Sequence, residues 1–315
     1  MRALRTGSAL ACVAAAVASG AASGARRVPL QLGVDGNPSR FEALTGQRST
    51  VRLLIIAWNQ GGSEAYFTRL FSTMLDEPML GIGIPKGESL TPAGIAHGKG
   101  DAFLVQINHA VAAFAKPIYV RPLAGMNGWW SSYSAYAQNG SSKGAAYSTA
   151  MFRKAFARIY LIVHGDPAAD RKLARLGLPA VQGGLTPAPD VQVVWNPQGY
   201  GSPDLPGNSA QAYYPGNAFV DIVGDDLYDQ SYKAEWAAAA ALYRAHPGKP
   251  FAFPEWGLWA IDDPTFVRTM GSFIRSHPRT VLASYFNTQR GSIWDLSSKP
   301  RARAAFRRYI DPLAP

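Results

Sequence analysis

From about residue 30 onward the chain alternates short apolar runs with polar loops and stretches of helical periodicity. Runs at 30–35, 51–58, 79–85, 118–122, 191–195, 220–228, 251–255 and 280–286 are rich in β-branched, aromatic and aliphatic residues and read as buried strands. Between them apolar residues return every three or four positions. Ser63 is placed to cap a helix carrying Tyr66, Leu70 and Met74, and Phe103, Ile107, Ala110 and Phe114 trace one face of a helix that starts at Asp101. Ser148 opens another with Phe152, Phe156, Ile159 and Val163 on one side, and a shorter one runs over 167–176 to a stop at Gly177. An alanine-rich helix is expected over 235–246. Asp263-Pro264 starts a further one with Phe266, Met270, Phe273 and Ile274 inward, and 300–309 closes the chain.

Eight strands separated mostly by helices, over about 250 residues, predict an α/β protein built as a single (β/α)8 barrel. A doubly wound sheet is the alternative, but no strand leads into a glycine-rich phosphate turn. Gly98-Lys99-Gly100 precedes a helix without a strand before it.

Composition narrows the setting. With 315 residues, 47% of them hydrophobic, the chain can bury a full core. Residues 1–25 join Arg2 and Arg5 to an alanine-rich apolar run and then to small residues, the pattern of a secretory signal, which leaves 26–315 as the barrel. Cys12, the single cysteine, falls inside that leader, so the mature chain is expected to hold no disulfide, thiolate nucleophile or cysteine metal site. No later stretch approaches the roughly 20 apolar residues of a membrane span. A secreted, extracellular monomer is expected, free of the membrane once the leader is removed. The formal charge of +10 falls by two with Arg2 and Arg5, and the remaining cations are scattered apart from Arg26-Arg27 and a cluster over 301–308. They read as solvated faces, and no nucleic acid is expected as partner. His97, His109, His164, His246 and His277 show no ligand spacing, and no cofactor or metal is expected.

In such a barrel, chemistry sits at the C-terminal strand ends. Those ends carry Asp35, Trp58-Asn59-Gln60, Arg121, Asn127-Gly128-Trp129-Trp130, Trp195-Asn196, Asp225-Asp226 with Tyr228, Glu255-Trp256 and Asn287. Carboxylates, amides and tryptophans without a histidine, cysteine or serine cluster suit carbohydrate: indole faces for the apolar side of a sugar ring, polar groups for its hydroxyls. Glycosidic hydrolysis needs two carboxyl groups. Glu255 is the first candidate, since the apolar run before it would bury its stem and aim its head at the barrel mouth. Of Asp225 and Asp226 one should face the barrel and the other the helices. Trp58 and Trp294 read as packing residues, whereas Trp129, Trp130, Trp195, Trp256 and Trp259 read as stacking platforms.

Taken in order, Arg121-Pro122-Leu123 with Met126-Asn127-Gly128 and Trp130, Trp195-Asn196-Pro197, Tyr214-Pro215-Gly216, Val220-Asp221-Ile222-Val223-Gly224, Asp226-Leu227-Tyr228, Lys249-Pro250 and Glu255-Trp256-Gly257 resemble glycoside hydrolase family 26, best known for β-mannanases. The resemblance implies a retaining β-glycanase acting on a β-1,4-linked polysaccharide, mannan foremost, with Glu255 as nucleophile and Tyr228 orienting it. It also implies sugar-contact roles for Arg121, Asn127, Trp130, Trp195, Asp226 and Trp256. The family's acid/base glutamate falls on Gly125, which cannot donate a proton. Asp225, Asp226 and Glu88 are the carboxyls that could substitute, and a non-catalytic glycan-binding protein is the alternative.

Overall fold

The computed structural model describes residues 29–61, 63–75 and 77–314. The expected secretory leader at 1–25 lies outside them. Eight parallel strands close into one barrel in chain order: β1 Gln31–Gly36, β2 Val51–Ala57, β3 Glu77–Gly83, β4 Ile118–Pro122, β5 Val191–Trp195, β6 Ile222–Asp229, β7 Phe251–Leu258 and β8 Thr280–Thr288, with β8 paired back to β1. The expected (β/α)8 barrel is the fold.

The helices form where local chemistry starts them. Around the barrel lie α1 Pro38–Thr45, α2 Glu64–Ser72, α3 Pro92–Ala96, α4 Asp101–Phe114, α5 Thr149–Val163, α6 Ala169–Arg175, α7 Trp236–Ala245, α8 Pro264–Ser276 and α9 Pro300–Tyr309. Ser63 accepts from Tyr66 N at 3.3 Å and Ser148 from Met151 N at 3.3 Å. The Asp263 carboxylate takes both Thr265 N and Phe266 N, satisfying donors that the first turn of α8 leaves open. The periodicity did not predict α1 and α3. Each is too short to show a stripe, yet each begins with a cap and a proline, Asn37-Pro38 and Thr91-Pro92.

Alternation along the strands divides the core in two. Val51, Leu53, Met79, Tyr119, Val194, Ile222, Ala252 and Leu282 fill the barrel, while Leu32, Val34, Val120, Val193, Phe253 and their neighbours pack outward against the helices. At the narrow point of the barrel Gly33 lets β1 approach β8: a Cβ there would lie 2.9 Å from that of Ser284. The same alternation along β1, β4, β5 and β6 brings Asp35, Arg121, Asn196, Asp226 and Tyr228 to the mouth. On β7 an extra residue shifts the register, with Gly224 opposite Ala252 but Asp226 opposite Glu255, and this turns Glu255 inward beside Asp226.

Candidate active site

Arg121 organises the floor of the mouth. At the end of β4 its guanidinium is 4% exposed and commits a nitrogen to each of three strands: Nε to Asn196 Oδ1 at 2.7 Å, Nη1 to Glu255 Oε1 at 2.6 Å, and Nη2 to Asp226 Oδ2 at 2.6 Å. The planar fork suits two carboxylates held side by side. One guanidinium and two hydrogen bonds set their separation, so the bound oxygens of Asp226 and Glu255 lie no more than about 7.5 Å apart. The Tyr228 hydroxyl donates to the other oxygen of Glu255 at 2.7 Å. Glu255 thus accepts one strong donor on each oxygen and has little freedom to turn.

Burial dominates the electrostatics. It pushes the Asp226 carboxyl well above the usual aspartate range; the Arg121 charge opposes that shift, and the Glu255 and Asp225 charges add to it. Asp226 Oδ1 is buried with no partner among the described residues. Burial also raises the Tyr228 phenol, helped by the neighbouring Glu255 and Asp226, so this tyrosine stays a donor. On β1, Asp35 is raised to about 6, first by burial and then by the charge of Glu255. It sits at the edge of the mouth in an adjoining open groove with Asn37 and Arg40.

Above this floor opens a cleft of about 610 Å³. Its walls include Trp129, Trp130 and Trp259, which are 38%, 42% and 39% exposed and present their rings to it. The β2–β3 side is bare, lined by Ile55, Gly81 and Gly83, and the opposite side carries Gln198, Tyr200, Lys233 and Glu235.

Several expected sugar contacts are corrected. Trp195 and Trp256 are fully buried. Trp195 follows inward Val194 and Trp256 follows inward Glu255, so both indoles turn outward: Trp195 packs against Tyr214 and His246, and Trp256 stacks on Phe306 of α9 at 5.6 Å. β7 runs on to Leu258, so Trp256 lies within the strand and not in a loop. Asn127 is also buried: its Nδ2 donates to the carbonyls of Gln198 and Tyr200, and its Oδ1 accepts from Gln198 N at 2.8 Å. It braces the loop after β5 and has no group left for a ligand. Arg121 lines the cleft, but its nitrogens are spent on protein partners, so it acts through Glu255 and Asp226.

Gly125 stands at the cleft wall with φ +65°. A Cβ there would meet only Ser131 Oγ at 3.7 Å, Trp130 Nε1 at 3.7 Å and Gln198 Nε2 at 3.8 Å, ordinary contacts that leave room for a side chain. Of the three carboxyls considered as substitutes, Glu88 is exposed and away from the cleft lining. Asp225 points outward, accepting from Gly199 N at 2.8 Å, with burial raising it to about 7. Only Asp226 reaches the cleft. Sequence reasoning did not pick out Gln198, Tyr200, Lys233 or Glu235, because nothing in their neighbourhoods departs from ordinary loop composition; Glu235 was read as the start of a helix.

Known proteins share this architecture. No protein-family model matches the chain. Endoglucanase H from Acetivibrio thermocellus is 23% identical over 239 residues, 69% of this chain and 22% of that protein, so the chain spans about a fifth of the relative it matches. Among solved structures, the Bacillus subtilis mannanase BCman superposes with a TM-score of 0.60 at 17% identity, covering 90% of this chain and 86% of the mannanase. A family 26 β-mannanase from Bacteroides ovatus gives 0.59 at 14% identity, covering 92% and 90%. The likeness at these identities is one of fold: a barrel that, in those proteins, is named for mannanase and endoglucanase activity.

Proposed function

We propose that this chain is a secreted retaining β-glycanase acting on β-1,4-linked polysaccharide, mannan before other backbones, and working as a monomer without cofactor. The observation that carries the reading is Glu255. It rises from within β7 into a tryptophan-walled cleft, with Arg121 and Tyr228 each donating to one of its oxygens. In that role its carboxylate attacks the anomeric carbon as the glycosidic bond breaks, and water later opens the glycosyl ester to return a sugar of unchanged configuration. Trp129, Trp130 and Trp259 supply the ring faces on which sugars stack. Asp226 and Arg121 fix the carboxylate from below, and a pinned nucleophile starts each turnover near its reactive geometry.

Gly125 weakens one half of this chemistry. Positioned acid catalysis commonly contributes about 10²–10⁴-fold, and glycine contributes none. That residue favours a second reading, a cleft that binds glycan without cutting it. The two separate in one experiment: reducing-sugar release and binding isotherms on β-mannan, mixed-linkage glucan and xylan, for the native chain and Glu255→Gln. The enzyme reading expects release that vanishes in the variant while binding persists. Binding without release from any substrate, activated aryl glycosides included, would leave the binding reading in its place.

A further inference from the structure

Three carboxyl groups line the cleft: Asp226, Glu255 and Glu235. The first two share Arg121. The third is different in kind. Glu235 is solvent-exposed, and among the described residues its carboxyl has no hydrogen bond or ion pair.

The fold brings it there by a turn that follows β6. Asp229, buried at the strand end, accepts from Ser231 N at 3.2 Å and Lys233 N at 3.0 Å, and Tyr232 takes a left-handed φ of 62°. The chain turns there, and Gln230, Ser231, Lys233 and Glu235 line the cleft before α7 begins at Trp236. The first turn of α7 then closes on the loop after β5: a Cβ at Gly199 would lie 3.0 Å from the Ala238 carbonyl carbon. The same loop reaches toward both the start of α7 and Gly125. Tyr200 is close enough for the Glu235 charge to help raise its phenol, after burial. Two residues earlier, Gln198 Nε2 stands 3.8 Å from where a Gly125 side chain would start. An unengaged carboxyl thus lines the same cleft as Gly125, on a loop the sequence pattern gave no reason to inspect.

We propose that Glu235 performs the proton transfers that Gly125 cannot. The assignment rests on the glycanase reading of Glu255. As the Glu255 carboxylate bonds to the anomeric carbon and the carbon–oxygen bond to the leaving sugar breaks, the Glu235 carboxylic acid gives its proton to the departing oxygen. In the second half the Glu235 carboxylate takes a proton from water while that water's oxygen attacks the anomeric carbon. The ester to Glu255 breaks, and Glu255 returns as carboxylate and Glu235 as acid.

The test is kinetic and uses Glu235→Gln, a substitution at an exposed position, beside Glu255→Gln. With Glu235→Gln, kcat on β-mannan should fall about 10²-fold or more while KM changes little. An aryl glycoside with a dinitrophenolate leaving group needs no acid, so its first step should survive as a burst. Azide should then speed turnover and yield a glycosyl azide of retained configuration, because an anion needs no base. Glu255→Gln should show neither burst nor rescue. If Glu235→Gln matches the native chain on β-mannan, or raises KM with kcat unchanged, Glu235 does not transfer the proton and the assignment falls while the glycanase reading stands. If the native chain attacks neither mannan nor the activated glycoside, both fall together.

Discussion

Replacing Arg121 with leucine removes the one cation that two buried carboxylates share. In the native chain its three hydrogen bonds, all 2.6–2.7 Å, join β4 to β5, β6 and β7. Breaking a buried pair by deleting one partner typically costs about 3–5 kcal/mol. Here the cost should sit at the lower end, about 3 kcal/mol at pH 7.5, because the Glu255 side chain is 13% exposed to the cleft and burial already raises the Asp226 carboxyl, which softens the loss of its cation. The penalty must also depend on pH. Burial already raises the Asp226 carboxyl and the Arg121 charge opposes that rise; without the cation it moves further above its unfolded value, so the added instability is small below about pH 4, where the carboxyl is protonated, and grows as pH rises toward neutrality. Urea unfolding of native and Arg121→Leu chains at pH 4.5 and 7.5, compared at constant m-value, measures this directly. The double variant Arg121→Leu with Asp226→Asn should recover part of the loss at pH 7.5, since one of the two facing charges is gone. A penalty below about 1 kcal/mol, or one that is larger at pH 4.5 than at 7.5, would refute the picture of a desolvated carboxylate pair held by one arginine.

Three further outcomes follow from the same geometry. Gly125→Glu should fold, at a cost of about 1–2 kcal/mol for placing a side chain at φ +65°, since nothing lies closer than 3.7 Å to the new Cβ; in the Glu235→Gln background it should raise mannan hydrolysis by about 10²-fold, read by reducing-sugar release. Trp130→Ala should weaken glycan binding by about 1 kcal/mol in calorimetric titration and leave the melting temperature nearly unchanged, whereas buried Trp256→Ala should cost about 3–5 kcal/mol of stability. Asp35→Asn should be neutral near pH 4 and stabilising above pH 6. Burial raises the Asp35 carboxyl to about 6, so ionising it opposes folding; about 2 kcal/mol is expected by denaturant titration, less than the full displacement implies because the groove is open to water.

How much of this was legible in the sequence follows from what each residue's surroundings encode. The strands were visible because a parallel barrel buries both faces and so writes continuous apolar runs. Glu255 was visible because such a run ends on a carboxylate. Facing direction was harder to read: Trp195 and Trp256 stand next to polar mouth residues in the chain, but a strand turns neighbours to opposite sides, and both indoles pack under helices. Asn127 looked like a ligand amide, and only the path of the loop after β5 explains where its bonds go. Partnerships across the barrel, such as Arg121 with Asp226 and Glu255, over 105 and 134 residues of chain, leave no local pattern at all. Glu235 reaches the cleft through a left-handed turn at Tyr232, a conformation that tyrosine's own preference argues against.

The central claim is that Glu255 forms a covalent bond to the sugar. A 2-deoxy-2-fluoro glycoside with a dinitrophenolate leaving group slows the release of that bond more than its formation, so the native chain incubated with it should gain the mass of one glycosyl unit. Proteolysis and mass spectrometry should then place the label on the peptide containing Glu255, with no label on the Glu255→Gln chain. Labelling of any other carboxylate, or a native chain that hydrolyses the compound with inverted configuration, would contradict the account.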